Sequence, residues 1–214
     1  MKDYFLLPDL QYDSYRDTLK EYALNSKDWP SYGIGRFKIY IGRPTRELIL
    51  PIAMKFKNPK TLFHKIEFNK VAAWGIVVGH TDHDRFATIN LPIEGDFENS
   101  SVDFYKTVSE GTVADYTPDI GNNDIVFTAK TYRDAELTEV VKYQQPICFN
   151  TQVVHGVTNY SAVDRYILTL SFKEEFTYEK LHTMYTEGEL LVWRKVILYY
   201  VMHLIQPHYF LQVV

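Results

Sequence analysis

Four residues define the chemistry open to this chain: His80 and Asp82 in the triplet His80-Thr81-Asp82, His155 further along, and Arg165 ten positions after it. Two imidazoles and one carboxylate can hold one face of a ferrous ion and leave its other positions for a small oxo-acid and dioxygen. An arginine at that remove can fork onto the acid's far carboxylate, because its planar guanidinium matches a carboxylate bidentately and stays charged. The triplet alone carries little weight. With 7 His and 27 acidic residues among 214, about one His-x-acid triplet arises by chance, and one is present. Its setting adds the weight: the apolar run from Val71 to Val78 leads into it, and the charged cluster Asp82-His83-Asp84-Arg85 follows. An apolar run ending in charges reads as a buried strand that delivers its tip to a polar cavity.

Side chains two apart on a strand share a face. That parity puts His80 and Asp82 together with Trp74, Ile76 and Val78 beneath them, and turns His83 away. Applied to a strand from Ile147 to His155, it aligns Phe149, Thr151 and Val153 with His155. After a turn over Gly156–Ser161, a strand from Arg165 to Phe172 sets Arg165, Ile167, Thr169 and Ser171 on one side. His155 and Arg165 are thereby expected on adjacent antiparallel strands facing one interior.

Taken jointly, three segments resemble the 2-oxoglutarate and Fe(II)-dependent oxygenases, in particular their small, single-domain, hydroxylase-like members. These are Gly79-His80-Thr81-Asp82 with Arg85 to Ile93, Asn150 to Asn159 around His155-Gly156, and Asp164-Arg165 to Phe172. The resemblance covers roughly Val71 to Glu175. It implies a mainly β fold, a double-stranded β-helix (a jelly roll, cupin-like) with flanking N-terminal and C-terminal helices. It also implies His80, Asp82 and His155 as ligands of Fe(II), and Arg165 as the anchor for 2-oxoglutarate. The activity implied is that of a dioxygenase that couples oxidative decarboxylation of 2-oxoglutarate to C–H oxidation of an amino acid, a peptide side chain or a small metabolite.

Other readings stay open at this point. His80 and Asp82 can form a surface pair beside Arg85, His155 can be a turn histidine, and Arg165 can pair with Asp164. A non-catalytic cupin-like metal- or sugar-binding module would use the same fold, and a zinc hydrolase the same three ligands, but neither gives Arg165 a role. Thr151 and Asn90 are further candidates for contact with the cosubstrate, and Tyr105 and Tyr116 weaker ones among 17 tyrosines. His182, twelve before Arg194, is a rival pair in a segment that reads as a solvated helix and turn. Cys148 opposes His155 in parity and is not counted as a ligand.

Composition narrows the class. A chain of 214 residues, 46% hydrophobic and 15% aromatic, can bury one sizeable core. One oxygenase domain over 1–214 is expected, with a mixed prefix to about 70, a β-helix core over about 71–175 and an extension beyond. A net charge of −4 argues against a nucleic-acid partner. One cysteine allows no internal disulfide, and the apolar start Phe5-Leu6-Leu7 is too short for a secretory signal, so a cytoplasmic location is expected. The apolar tail Val196–Ile205 is too short to span a membrane and reads as a buried or homodimer-forming helix.

The remaining pattern supplies the supports. Ser14–Asn25 reads as a helix capped by Ser14, and Phe37–Ile41 as a strand. Arg46–Lys57 is ambiguous because Pro51 interrupts it. Ile125–Thr131 and Leu137–Tyr143 read as strands, and Gly95–Ser101 and Thr117–Asp124 as loops.

Overall fold

The computed structural model describes residues 2–26, 29–32, 39–82, 85–107, 112–116, 127–132 and 135–192, with backbone alone at 32, 112–116 and 127–131. The elements in chain order are β1 (Tyr4–Leu6), α1 (Asp13–Asn25), β2 (Ser31–Tyr32), β3 (Ile39–Gly42), α2 (Arg46–Ala53), α3 (Pro59–Leu62), β4 (Phe63–Val71), β5 (Ile76–Asp82) and β6 (Ala87–Glu94). They continue with β7 (Ser100–Lys106), β8 (Thr112–Tyr116), β9 (Phe127–Thr131), β10 (Glu136–Val141), β11 (Ile147–Asn150), β12 (His155–Asn159), β13 (Arg165–Phe172) and α4 (Tyr178–Thr186). The strands form two antiparallel sheets. A seven-stranded sheet has the order β1-β11-β6-β13-β4-β3-β2, and a six-stranded sheet the order β10-β7-β12-β5-β9-β8.

Period-two patterning explains how the larger sheet lies. On β6, Ile89, Leu91 and Ile93 point one way and Thr88 and Asn90 the other; on β13, Leu168, Leu170 and Phe172 oppose Arg165, Thr169 and Ser171. The apolar set packs under the helices with Leu19 of α1, Ile52 of α2 and Leu181 of α4. The polar set faces the six-stranded sheet, where a smaller cluster of Val102, Phe104, Val141, Tyr143, Ile147 and Phe149 fills part of the space. The sheet lined by helices is therefore apolar outside and polar inside, the reverse of a sandwich built only for stability.

The chain crosses between sheets at two corners, and both revise the sequence reading. The run Val71–Val78 is not one strand: β4 ends at Val71, residues 72–75 turn, and β5 begins in the other sheet. Trp74 sits in that turn with φ +59° and is 59% exposed, so it does not lie beneath His80. The second corner, after Asn159, carries the chain from β12 to β13. The buried Asn159 side chain ties the corners together, donating from Nδ2 to the carbonyls of Val71 (3.2 Å), Ala72 (3.0 Å) and Val163 (2.9 Å).

Other expectations meet smaller changes. Helix α1 begins at Asp13 and carries no side-chain cap, so Ser14 lies within it. Helix α2 forms despite Pro51 and is capped by Thr45. Residues 33–38, 117–126 and 193–214 lie outside the described residues, which removes Phe37, Tyr116's surroundings and the apolar tail from view. Among the described residues no helix is long and apolar enough to cross a membrane.

Candidate active site

The last two residues of β5's inward face and the first of β12 meet between the sheets. His80 pairs in register with His155, but a bulge follows, because the next pairing is Val157 with Val77. The bulge breaks the simple alternation, leaving Val78 42% exposed while His80 and Asp82 are buried. Strand β12 opens at His155 rather than closing there: β11 ends at Asn150, and a turn over 151–154 separates them. Gly156 lets β12 approach this closely, since a Cβ there would lie 2.6 Å from the Val77 carbonyl oxygen.

His80, Asp82 and His155 are all buried and each offers a ligand atom within 4.8 Å of the others. Each ring turns Nδ1 to a carbonyl two residues back, His80 to Val78 at 2.8 Å and His155 to Val153 at 3.0 Å. A carbonyl only accepts, so Nδ1 carries the proton and Nε2 faces the carboxylate. The Nε2 atoms lie 3.7 Å (His80) and 3.8 Å (His155) from Asp82, too far for hydrogen bonds. Burial alone would raise the Asp82 carboxyl; the Arg85 guanidinium and the two histidines outweigh it and hold the group well below the usual carboxylate range. His155 is pushed down to about 4, first by burial and then by His80, and is neutral at pH 7.

Arg165 lies in the same intersheet space at the other end of β13. It starts that strand in the seven-stranded sheet, so it is not on a strand adjacent to β12; the two residues face one another across the sandwich. The side chain is 1% exposed. Nη1 donates to the Ser101 carbonyl at 3.1 Å, Nη2 to the Tyr143 hydroxyl, and the guanidinium lies over the rings of Tyr143 (5.1 Å) and Phe97 (5.5 Å). No carboxylate pairs with it among the described residues. Gly95, with φ +130°, makes room, because a Cβ there would sit 2.9 Å from the Arg165 Cα. Ser101 is three residues along β7 from Phe104, the register partner of His155, which sets the guanidinium roughly 10 Å from the histidine end.

Two buried side-chain atoms lack a hydrogen-bond partner among the described residues: Asp82 Oδ1 and Arg165 Nε. A carboxylate oxygen and a guanidinium nitrogen left unpaired inside a protein each cost more than an ordinary hydrogen bond contributes. Their identity is informative. The first faces His80 Nε2 at 3.7 Å, on a carboxylate whose other oxygen lies 3.8 Å from His155 Nε2, which fits a divalent cation; the second belongs to a buried cation, which fits an anion.

The weaker candidates separate. Asn90 is buried on the polar wall and accepts from Thr169 Oγ1 at 2.9 Å, and Thr169 accepts from Asn69 at 2.6 Å. Thr151 spends its hydroxyl on the Arg85 carbonyl at 2.7 Å. Tyr105 lies on the far face of β7 from Phe104, near Gly79 and Gly156. His182 packs edge-on against Phe5 at 5.1 Å, and Arg194 is outside the described residues. Cys148 is buried on the helix side, where burial raises its thiol. Two residues escaped the sequence reading: Arg85, whose only signal was its place three after Asp82, and Tyr143, one tyrosine among many.

No family model matches the sequence, and no curated protein matches it. Solved structures do. An oxidoreductase of the 2OG-Fe(II) oxygenase family from Burkholderia pseudomallei is 11% identical, with 80% of this chain and 85% of that one covered at a TM-score of 0.51. The epimerase SnoN in complex with Fe3+, α-ketoglutarate and nogalamycin RO is 10% identical, with 80% and 78% covered at 0.52. The chain therefore has the double-stranded β-helix fold of the 2-oxoglutarate- and Fe(II)-dependent oxygenases, with flanking helices. The resemblance read from its motifs holds at the level of fold.

Proposed function

We propose that the chain is an Fe(II)- and 2-oxoglutarate-dependent dioxygenase of the hydroxylase type, acting as one oxygenase domain on an amino acid, a peptide side chain or a small metabolite. The observation that carries this reading is the pair of unsatisfied buried atoms, Asp82 Oδ1 and Arg165 Nε, at two ends of one intersheet space. A five-carbon oxo-diacid has the length and the charge for that space, with one end at a metal and its far carboxylate at the arginine.

The geometry supports a role for each residue. His80, Asp82 and His155 would hold the metal, their Nδ1 contacts fixing both rings. Arg165 would take the far carboxylate, with the Tyr143 hydroxyl as a second donor and Asn90 on the wall between. Thr151 is assigned to holding the loop at Arg85. Bound there, iron and 2-oxoglutarate supply the oxidative decarboxylation to succinate that is coupled to oxidation of a substrate C–H bond by dioxygen. The chain's own task is to orient both ends of the cosubstrate and keep water out, which the buried ligands and the ring contacts around Arg165 do.

The test is anaerobic addition of Fe(II) and then 2-oxoglutarate to the purified protein, followed by visible absorption. A weak band of a chelated ferrous complex is expected, lost in His80→Ala and Asp82→Ala. Its absence from the unaltered protein, or its survival in both variants, would overturn the reading.

A further inference from the structure

Arg85 reaches across the sandwich. Its Nε donates to Asp82 Oδ2 at 2.6 Å, and its Nη1 donates to Ser171 Oγ at 2.9 Å. Asp82 belongs to the six-stranded sheet and Ser171 to the seven-stranded one. The backbone of Arg85 is itself held, since its carbonyl accepts from Thr151 Oγ1 at 2.7 Å and from Gln152 Nε2 at 2.9 Å. Gln152 Nε2 also donates to the Asp82 carbonyl at 2.9 Å, and the Asp82 amide donates to the Thr151 carbonyl at 3.1 Å. The turn before His155 therefore clamps both members of the Asp82–Arg85 pair.

We infer that Arg85 is a positioning residue of the metal centre: it occupies Asp82 Oδ2 and so restricts the carboxylate to ligation through Oδ1 alone. The inference rests on the metal-site reading above. A carboxylate with two open oxygens can close on a cation with both, taking a position that a small ligand would otherwise fill. Here one oxygen is held by a short charge-assisted hydrogen bond and the other has no partner among the described residues. The arginine's second contact, to Ser171 on the far sheet, fixes the direction from which it holds Asp82, and a point charge on a flexible stem could not do both.

Charge and positioning predict opposite signs. A guanidinium beside a dication repels it, so a purely electrostatic role means that its removal tightens metal binding. A positioning role means that removal weakens binding, roughly 10- to 100-fold as for other groups that orient a metal ligand. The probe is Co(II) alone, titrated into the full chain and its Arg85→Met and Arg85→Lys variants, with the ligand-field absorption recorded. Arg85→Met is expected to bind Co(II) more weakly, because the carboxylate is no longer held in its ligating orientation, and with an altered band, because Oδ2 is free to face the metal; Arg85→Lys, which keeps the charge without the two-point contact, is expected to fall between it and the unaltered protein. If Arg85→Met does not fold, Arg85→Lys decides alone, and a lysine variant with unaltered affinity and spectrum overturns the inference. Unchanged or tighter binding in Arg85→Met overturns it too. Failure of the unaltered chain to bind Co(II) is a different result, and it removes the metal-site reading beneath.

Discussion

The two arginines between the sheets sit in opposite electrostatic situations. Arg85 meets a carboxylate at 2.6 Å and a serine hydroxyl at 2.9 Å. Arg165, more deeply buried, meets only a carbonyl, a phenol and two aromatic rings, and its Nε meets nothing among the described residues. At the first end the anion lies between a guanidinium and two imidazole Nε2 atoms and still has one oxygen to offer. At the second a cation waits without an anion. Folding alone would favour neither arrangement, because buried charge is costly unless compensated. The asymmetry makes sense if each end is completed by something bound: a cation at Asp82 and an anion at Arg165.

The largest effect is expected from removing the anion. Asp82→Ala takes away the only carboxylate of the triad and leaves Arg85 facing two histidines. Co(II) or Fe(II) affinity should fall well beyond the roughly 100-fold that changes around a ligand produce. Retention of micromolar metal binding by this variant, measured by equilibrium titration, would place the metal elsewhere.

Next in size is Arg165→Met, which should separate stability from binding. Removing an uncompensated buried charge relieves a penalty of several kcal/mol. The cost is two hydrogen bonds from a charged donor, at about 1.5–3 kcal/mol each, to Ser101 and Tyr143, together with the contacts to two aromatic rings. The two effects are of similar size, so the melting temperature of the ligand-free variant should change little. Its affinity for 2-oxoglutarate should fall by roughly 2–5 kcal/mol, while metal affinity stays within a few-fold. A clear drop in melting temperature together with normal 2-oxoglutarate binding would make Arg165 a structural residue.

Protonation sharpens the contrast from the other side. His155 is held near 4 when folded, against an ordinary 6.5, because burial and His80 disfavour its charge. Between these values the unfolded chain binds more protons than the folded one, so stability rises with pH across the window and is complete above about 6.5. Asp82 acts lower: its depressed carboxyl contributes stability above about 3.8 that is lost as pH falls further. Metal-free protein should therefore lose roughly 3 kcal/mol between pH 6.5 and 4 through His155. A flat melting temperature over that range would mean that this histidine is not buried uncharged.

Legibility in the sequence follows the same division. Arg165 could be placed because its strand's alternation survives, and it shares a face with Thr169 and Ser171, as the register on β6 shows; His80, Asp82 and His155 could be named from their types and setting, although a bulge in β5 and the turn over 151–154 interrupt the alternation used to align them. Alternation says nothing about where a strand stops. The run Val71–Val78 is apolar throughout, yet it holds the end of one sheet, a turn with Trp74 at positive φ, and the start of the other sheet. Gly75 after Trp74 was the available turn signal. The placement of His155 and Arg165 on facing sheets depends on the Asn159 bridge, a long-range contact that no local pattern encodes. Arg85 was visible only as part of a charged cluster, since its significance lies in reaching Ser171, 86 positions away.

The smallest predicted effect tests whether the Arg165 end is built for an anion or merely tolerates a cation. Tyr143 offers both a ring beneath the guanidinium and a hydroxyl that accepts from Nη2. Tyr143→Phe keeps the ring and removes the hydroxyl, so the cation–π contribution is preserved while one acceptor is lost. Because that hydroxyl accepts from Arg165, its own proton remains to be donated, and a carboxylate bound at the guanidinium is the natural acceptor. The variant should then bind 2-oxoglutarate about two- to tenfold more weakly, the value of one hydrogen bond, with metal affinity unaltered. Calorimetric titration reads both. An unchanged 2-oxoglutarate affinity would mean that Tyr143 serves only to satisfy the arginine, and that the anchor is the guanidinium alone.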